Sequence, residues 1–463
     1  VEAAAHAAWD GFEMGGEAVR KVDRVLDVRQ GELCWIVGTC YMEMALKPNI
    51  LDDISKDHWI SAVPPREKYK SPNGDDLTML EDESGRLRLI GAPLAGQNLV
   101  TGCIIAAMGT ENANGVFEVV DVKVPDLAPQ PGRWELSGVP DQAEIEVERK
   151  AKKQKLEDED EEMMDASTVP PGNGSKIAIV SGLDITGRPA VNIDLLMEYL
   201  LGEALDPSQQ QHTSTISRLI IAGNSISLDD ITPNSNLSKV AVSKKHKKYG
   251  YDASAYNPGP SKQFDDFLAG ILPSIPVTLI PGASDPANVS LPQQPIHSAM
   301  FPRARAYGQP PLPVGEEENY EAPREHGWFD TVTNPWEGEV EGWRVVAAGG
   351  QNVDDVLKYV DCDSRTEMME KLCRWRCVAP TAPDTLWSYP FQDDDPFVMN
   401  ECPHLFIVGN QPAFETEVIE GPEGQLCRLL AIPKFSDTGE LVIVDSETLD
   451  VERVQIDIFQ DTK

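Results

Sequence analysis

Features that would announce a metalloenzyme, a nucleotide-binding site or a membrane span are scarce in this sequence. Its 463 residues hold seven histidines, His6, His58, His212, His246, His297, His326 and His404, and none stands in an His-x-x-x-His or His-Glu pair. Helical zinc sites of the metalloprotease type are therefore excluded. No Gly-x-Ser-x-Gly elbow and no Walker loop occurs, and the Gly-rich stretch 349–355 lacks the Lys and the spacing that a phosphate cradle requires. No uninterrupted apolar run approaches the roughly 20 residues that span a bilayer, and no charged head followed by an apolar core opens the chain at Val1. The eight cysteines are scattered, mostly inside apolar stretches such as Gly102-Cys103-Ile104-Ile105. They read as reduced core thiols in a reducing compartment, not as a disulfide framework. Cys373 and Cys377 are the one close pair, and without a second pair or a nearby His they do not make a zinc site.

Basic charge is also short, with 40 Lys and Arg against 76 Asp and Glu, a net of −36. Nucleic-acid binders draw affinity from cations that neutralise phosphates, so a chain this acidic is repelled overall by DNA, RNA and anionic membranes. Basic protein partners fit the charge better. What the sequence does have is apolar residues, 41% of the total, and length enough for the cores of two or three domains.

Residues 1–29 carry apolar positions at loosely helical spacing, including Val19, Val22, Val25 and Leu26, which predicts one or two short helices broken or bent at Gly15-Gly16. From about 30 to 140 the period becomes strand-like. Leu87 and Leu89 face opposite to Arg86 and Arg88, and Val120, Val122 and Val124 alternate with Asp121 and Lys123. Five or so short antiparallel strands with a long excursion after the first suit a small closed barrel of the OB type; an SH3-like barrel or half a sandwich carries the same signature. Residues 141–175, mixed and then acidic charge closed by Pro-Pro-Gly-Asn-Gly, form a flexible linker or insertion. The basic clusters at 150–155 and 244–248 are solvated charge runs or nuclear-import signals.

From 176 to 463 short β-branched runs, at 176–181, 218–222, 276–280, 343–348 and 404–409, alternate with helix candidates. In one of these, Phe264, Phe267, Leu268 and Ile271 fall at i, i+3, i+4 and i+7. The runs lack alternation, as strands covered on both faces do, and predict a layered α/β domain with a largely parallel or mixed sheet.

Functional groups in such domains collect at the carboxyl ends of strands. Those ends read Ser181-Gly182-Leu183-Asp184, Gly223-Asn224-Ser225-Ile226-Ser227, Gly282-Ala283-Ser284-Asp285 and Gly409-Asn410-Gln411-Pro412. Their order and spacing resemble the calcineurin-like phosphoesterases, whose active members place Asp, Asn and His ligands for two cations at four such ends. The matching positions here are Gly182 and Asp184, Asn224 and Ser227, Ala283 and Ser284, and Asn410 and Pro412, with Asp285 as the other carboxylate. A set so poor in carboxylate and imidazole is expected to bind no metal and to catalyse nothing. His404 reads as a structural hydrogen-bonder, and the run Asp393-Asp394-Asp395 as a solvated loop.

Two long stretches, PGASDPANVSLPQQPIHSAMFP at 281–302 and RCVAPTAPDTLWSYPFQDDDPFVMNECPHLFIVGNQPAF at 376–414, resemble the second (B, or small) subunits of replicative DNA polymerase delta. DLAPQ at 126–130, the segment 333–356 and GPEGQ at 421–425 share the likeness, which covers the chain from about residue 30. Cys377-Val378 departs from the family where a His is usual, and the acidic insertion at 155–165 is longer than the family's. The resemblance implies an OB-fold barrel packed on an inactive phosphoesterase-like domain, with no catalytic residues, metal or cofactor. It further implies a nuclear scaffold that holds the cysteine-rich C-terminal module of the catalytic subunit and the third, clamp-binding subunit, with little or no direct nucleic-acid binding. The competing readings are a metal-dependent phosphodiesterase or nuclease, and a single-strand-binding OB module using Trp35, Tyr41 and Trp59.

Overall fold

The computed structural model describes residues 1–48, 67–72, 74–132, 175–203, 205–227, 257–308 and 327–457. The expected linker up to residue 174, both basic clusters, the acidic insertion and Trp59 lie outside the described residues.

Helix α1 (Glu2–Trp9) opens the chain as one of the short helices expected, a single 3-10 turn follows at Val25–Asp27, and the break at the glycine pair between them is a hairpin. Gly15 and Gly16 adopt φ of 64° and 86° and turn a two-residue hairpin, β1 (Glu13–Met14) against β2 (Glu17–Ala18). Two successive left-handed residues are the signature of a tight hairpin turn, which overrides the weak helical spacing around them. Strand β3 (Arg20–Val22) then lies parallel on β4 (Leu33–Glu43).

Strand β4 is long because it serves two neighbours. Its first half pairs with β7 (Ile104–Glu111) and its second half with β5 (Leu77–Glu81), both antiparallel. β6 (Arg86–Ile90) continues from β5, with Leu87 and Leu89 buried and both arginines outward as the alternation predicted. β8 (Val116–Lys123) closes the circuit, parallel to β6 and antiparallel to β7. The closed order β4-β5-β6-β8-β7-β4 is that of an OB barrel, which decides among the three all-β alternatives.

The remainder of the described chain contains two sheets, not the single one expected. The first is built from β9 (Lys176–Val180), β10 (Ile216–Ala222), β11 (Val277–Ile280), β12 (Phe329–Thr331), β18 (Glu440–Asp445) and β19 (Val451–Gln455), in the order β12-β11-β10-β9-β18-β19. The second is built from β13 (Trp336–Val340), β14 (Trp343–Ala348), β15 (Leu405–Gln411), β16 (Glu415–Glu420) and β17 (Leu426–Pro433), in the order β13-β14-β15-β17-β16. Alternate residues of each strand feed different cores. Ile177 and Ile179 of β9 meet Leu405 and Ile407 of β15 between the sheets. Ala178 and Val180 face a core with helices α2 (Val191–Leu201) and α3 (Gly259–Ile271). Phe406 and Val408 face α4 (Gln351–Val356), α5 (Arg365–Trp375) and the barrel. The layers thus run helices, sheet, sheet, then helices with the barrel, and every central strand is covered on both faces, as its lack of alternation foretold.

Candidate functional site

The four strand ends singled out in the sequence converge where the two sheets abut. β9, β10 and β11 bring three of them from the first sheet and β15 brings the fourth from the second. Asn410 joins the sheets: its backbone N–H donates to Ser181 Oγ at 2.8 Å and its Nδ2 to the Gly349 carbonyl at 2.8 Å. Ser181 Oγ donates onward to the Ala222 carbonyl at 2.7 Å. The next pair of ends is as tight, since a Cβ on Gly282 would lie 2.3 Å from the Asn224 backbone nitrogen. Only glycine permits that approach. Asn224 Oδ1 accepts from Ser284 N at 3.0 Å, and Ser284 Oγ donates to the Ile226 carbonyl at 2.9 Å.

Asp184, Asn224 and Asn410 all have positive φ, at 46°, 53° and 58°. Asp and Asn are among the few side-chain-bearing residues that tolerate this region, which is why they follow the apolar runs. Asp184 accepts from Ser436 Oγ at 3.1 Å, and Ser227 donates its N–H to Ile185. Ala283 and Pro412 are exposed; Pro412 lines a cavity of ≈ 250 Å³ with Asn410, Lys434, Asp354 and Asp437.

Asp285 is buried, and both its oxygens are engaged: Oδ1 accepts from Ile226 N at 2.9 Å and Oδ2 from Gly282 N at 2.7 Å. Burial pushes its carboxyl up to about 6, against the pull of those amides. The unfolded chain therefore loses this proton near pH 4 while the folded chain keeps it. Its contribution to stability is complete below that pH, declines through the interval and levels off above pH 6, a span of ~3 kcal/mol at 1.36 kcal/mol per unit. Carboxyl-¹³C NMR with labelled Asp is expected to show a midpoint near pH 6 that disappears in Asp285→Asn; a midpoint near 4 contradicts this burial.

A second group was not visible as a site in the sequence. Gln293 Oε1 accepts from Asn334 Nδ2 at 2.7 Å and from Gln351 Nε2 at 3.0 Å, while Asn334 Oδ1 accepts from Gly349 N at 2.9 Å. These three amides lie 17 to 58 positions apart and brace the loops that frame the strand ends. They fall within 281–302 and 333–356, two of the stretches that carry the family likeness, and that is the one signal that marks them.

The other motifs meet at the seam between barrel and α/β body. Gln130 and Leu426 exchange hydrogen bonds, Nε2 to carbonyl at 2.7 Å and N–H to Oε1 at 3.0 Å. Arg376 spans the carbonyls of Asp126 at 2.7 Å and Leu127 at 2.8 Å, and Gln425 Nε2 reaches the Ala128 carbonyl at 3.3 Å. Lys47 Nζ crosses to Asp384 at 2.7 Å, and Asp384 also accepts from Tyr359 OH at 3.1 Å. Beneath these contacts one apolar core runs from Ile36, Leu80 and Phe117 of the barrel to Val353, Leu372 and Phe406. Helix α5, which supplies Leu372, was not anticipated, although Ser364 at its N-cap accepts from Glu367 N and Ser-x-x-Glu is a capping signature.

Of the aromatic candidates for strand binding, the two among the described residues, Trp35 and Tyr41, do not form a platform. Trp35 is 2% exposed, packed against Trp9 and His6 with ring centroids 5.8 and 5.0 Å away. Tyr41 is covered by Lys47 Nζ at 4.1 Å and the Arg86 guanidinium at 4.4 Å.

Comparison with known proteins agrees with this architecture. Residues 177–416 match the family profile described as the B subunit of DNA polymerase alpha/epsilon, and residues 1–122 that of the DNA polymerase delta subunit OB-fold domain. The class is thus that of the small, second subunits of replicative polymerases. The chain is 33% identical to the DNA polymerase delta small subunit of Saccharomyces cerevisiae, over 97% of its own length and 85% of that protein. It is 34% identical to the small subunit of Oryza sativa, covering 93% and 85%, and 32% identical to DNA polymerase delta subunit 2 of Drosophila melanogaster, covering 92% and 83%. The chain belongs to the family of DNA polymerase delta small subunits, non-catalytic components of a polymerase complex.

Proposed function

We propose that this chain is a catalytically inactive scaffold whose α/β body is a phosphoesterase-type fold with its metal positions given over to structure. The engagement of Asp285 carries this reading: the one buried carboxylate at the converging ends is used to hold Ile226 and Gly282, so it ties loops together. The other donors there are the amides of Asn224 and Asn410, the hydroxyls of Ser227 and Ser284 and the more exposed Asp184, beside Gly182, Ala283 and Pro412, which offer no side-chain ligand. Two dications need several carboxylates or imidazoles to replace their water, and this set does not fit them.

In this reading the barrel and body act as one rigid unit in the nucleus, holding the cysteine-rich C-terminal module of the catalytic subunit and the third, clamp-binding subunit. The test is co-expression. The chain is expected to co-purify with that module at physiological salt, and failure to do so refutes the reading. The purified complex is expected to contain no manganese at the strand ends of this chain, and the chain alone to leave a generic phosphodiester intact. Turnover abolished by Asp285→Asn would instead establish an enzyme.

Burial of Trp35 also argues against a single-strand-binding barrel. Binding of a labelled oligonucleotide is expected to be weak and salt-sensitive. Submicromolar affinity at physiological salt would overturn that expectation.

A further inference from the structure

We infer that the loop between residues 381 and 398 forms a docking groove for an extended, positively charged segment of another subunit, a segment that places an aliphatic or guanidinium-bearing side chain between aromatic rings. The inference rests on the scaffold reading only in placing its occupant within the same complex. The groove has a volume of ≈ 540 Å³ and is walled by Pro383, Tyr389, Pro390, Phe391 and the run Asp393 to Asp395.

This is a built surface. Leu291, Ala379 and Phe397 form a separate small core beneath it, and Leu291 N donates to the Trp387 carbonyl at 2.7 Å while Tyr389 N donates to the Leu291 carbonyl at 3.1 Å. Phe391 and Phe397 pack as a T-shaped pair with centroids 5.7 Å apart, which anchors the Phe391 ring on the small core. Trp387, Tyr389 and Phe391 remain 58%, 43% and 40% exposed, and Val289, on the neighbouring turn tied through Asn288 to Tyr389, is 77% exposed. Four large apolar side chains kept in water on a loop that already has its own core are an association surface.

Charge identifies the occupant. Asp393, Asp394 and Asp395 are exposed and consecutive, and no basic side chain pairs with them among the described residues. Three adjacent carboxylates repel one another until a cationic ligand arrives. Ring faces beside them favour guanidinium or ammonium groups. A bare cation is the poorer fit, because among the described residues no group of three or more His, Cys, Asp or Glu is arranged to hold a metal ion. Pro383 and Pro390 lack an N–H, so recognition works through side-chain pockets and not through strand addition. The groove thus gives a location to the basic partner that the net charge of −36 calls for.

The test uses the assembled complex with Phe391 replaced by the photo-crosslinker p-benzoylphenylalanine. Irradiation is expected to join this position to a stretch of another subunit with net positive charge over about ten residues. The synthetic peptide of that stretch should bind the full chain, and at least tenfold more weakly after combined Asp393→Asn, Asp394→Asn and Asp395→Asn. A control neutralising Asp10, Asp23 and Asp363, three exposed acids elsewhere, should change affinity less than twofold. The proposal is overturned by an assembled complex without cross-link above the dark control, by a cross-link to a neutral or acidic stretch or to a second copy of this chain, or by equal weakening in the control. Failure of the unmodified chain to assemble refutes the scaffold reading and takes this proposal with it.

Discussion

Lys47→Met is expected to destabilise the chain by ~3–4 kcal/mol, the lower part of the range for breaking a buried ion pair, because Asp384 keeps some contact with solvent. The Lys47 side chain is 8% exposed and that of Asp384 24%. Lys47 Nζ donates to Asp384 at 2.7 Å and to the Met42 carbonyl at 2.8 Å, and it sits 4.1 Å from the centre of the Tyr41 ring. Methionine keeps the apolar stem and removes the ammonium with its charge and hydrogen bonds, so packing loss is small. What remains is a carboxylate in the seam whose only other partner among the described residues is Tyr359 OH, and that hydroxyl is shared with Thr385. Thr385 in turn donates to Asp355, which also accepts from Tyr69 OH at 3.2 Å, so the polar chain crosses between barrel-side and body-side residues twice. Adding Asp384→Asn to Lys47→Met should recover more than half of the loss, because the unpaired charge is then gone. Urea unfolding of the two single variants and the double variant measures this. A loss below 0.5 kcal/mol for Lys47→Met would show that the pair is solvent-screened and that the apolar core alone joins the domains.

How far the sequence announced this arrangement depends on the range of the interaction. The barrel strands were legible because Leu87 and Leu89 alternate with arginines, a local pattern tied to the strand period. The central strands of the body were legible for the opposite reason, uniform burial. Uniform burial does not say which sheet a strand joins: Ile179 and Ile407 look alike in sequence and face one another from different sheets. Three of the four strand ends could be found since Asp184, Asn224 and Asn410 occupy left-handed positions shortly after apolar runs, and residue type reports backbone conformation there. What braces them could not, because Gln293, Asn334 and Gln351 are ordinary amides until the fold brings them within hydrogen-bond distance. The same holds for Gln130 and Leu426, 296 positions apart: DLAPQ and GPEGQ, which Leu426 directly follows, were recognised by likeness while their physical reason lay in the seam.

Gly102→Ala is expected to have the larger effect at that seam. The residue has φ of 92°, where side-chain-bearing residues are strained, and a Cβ there would lie 1.8 Å from the Pro380 carbonyl oxygen and 2.7 Å from its carbon. Relief needs a shift of more than about 1 Å by backbone on one side or the other. The barrel side cannot retreat: Gly102 N donates to the Cys40 carbonyl at 2.8 Å and Cys40 N to the Cys103 carbonyl at 2.7 Å, which pins the turn to strand β4. The body side is held too, because Pro380 lies between Ala379 of the small core under the groove and the buried Thr381. The domains must therefore separate, opening a core that contains Cys103, Ile105, Val378 and Phe406 together. A loss above about 4 kcal/mol follows, the range reserved for disruption of this kind. Denaturant unfolding should change from one cooperative transition to two as barrel and body uncouple. Gly96→Ala, at φ of −95° with nothing within 4 Å of the added carbon, is the control and should move stability by less than about 0.5 kcal/mol. A single unshifted transition in Gly102→Ala would mean that barrel and body are joined through a looser contact than the close approach of Gly102 to Pro380 requires.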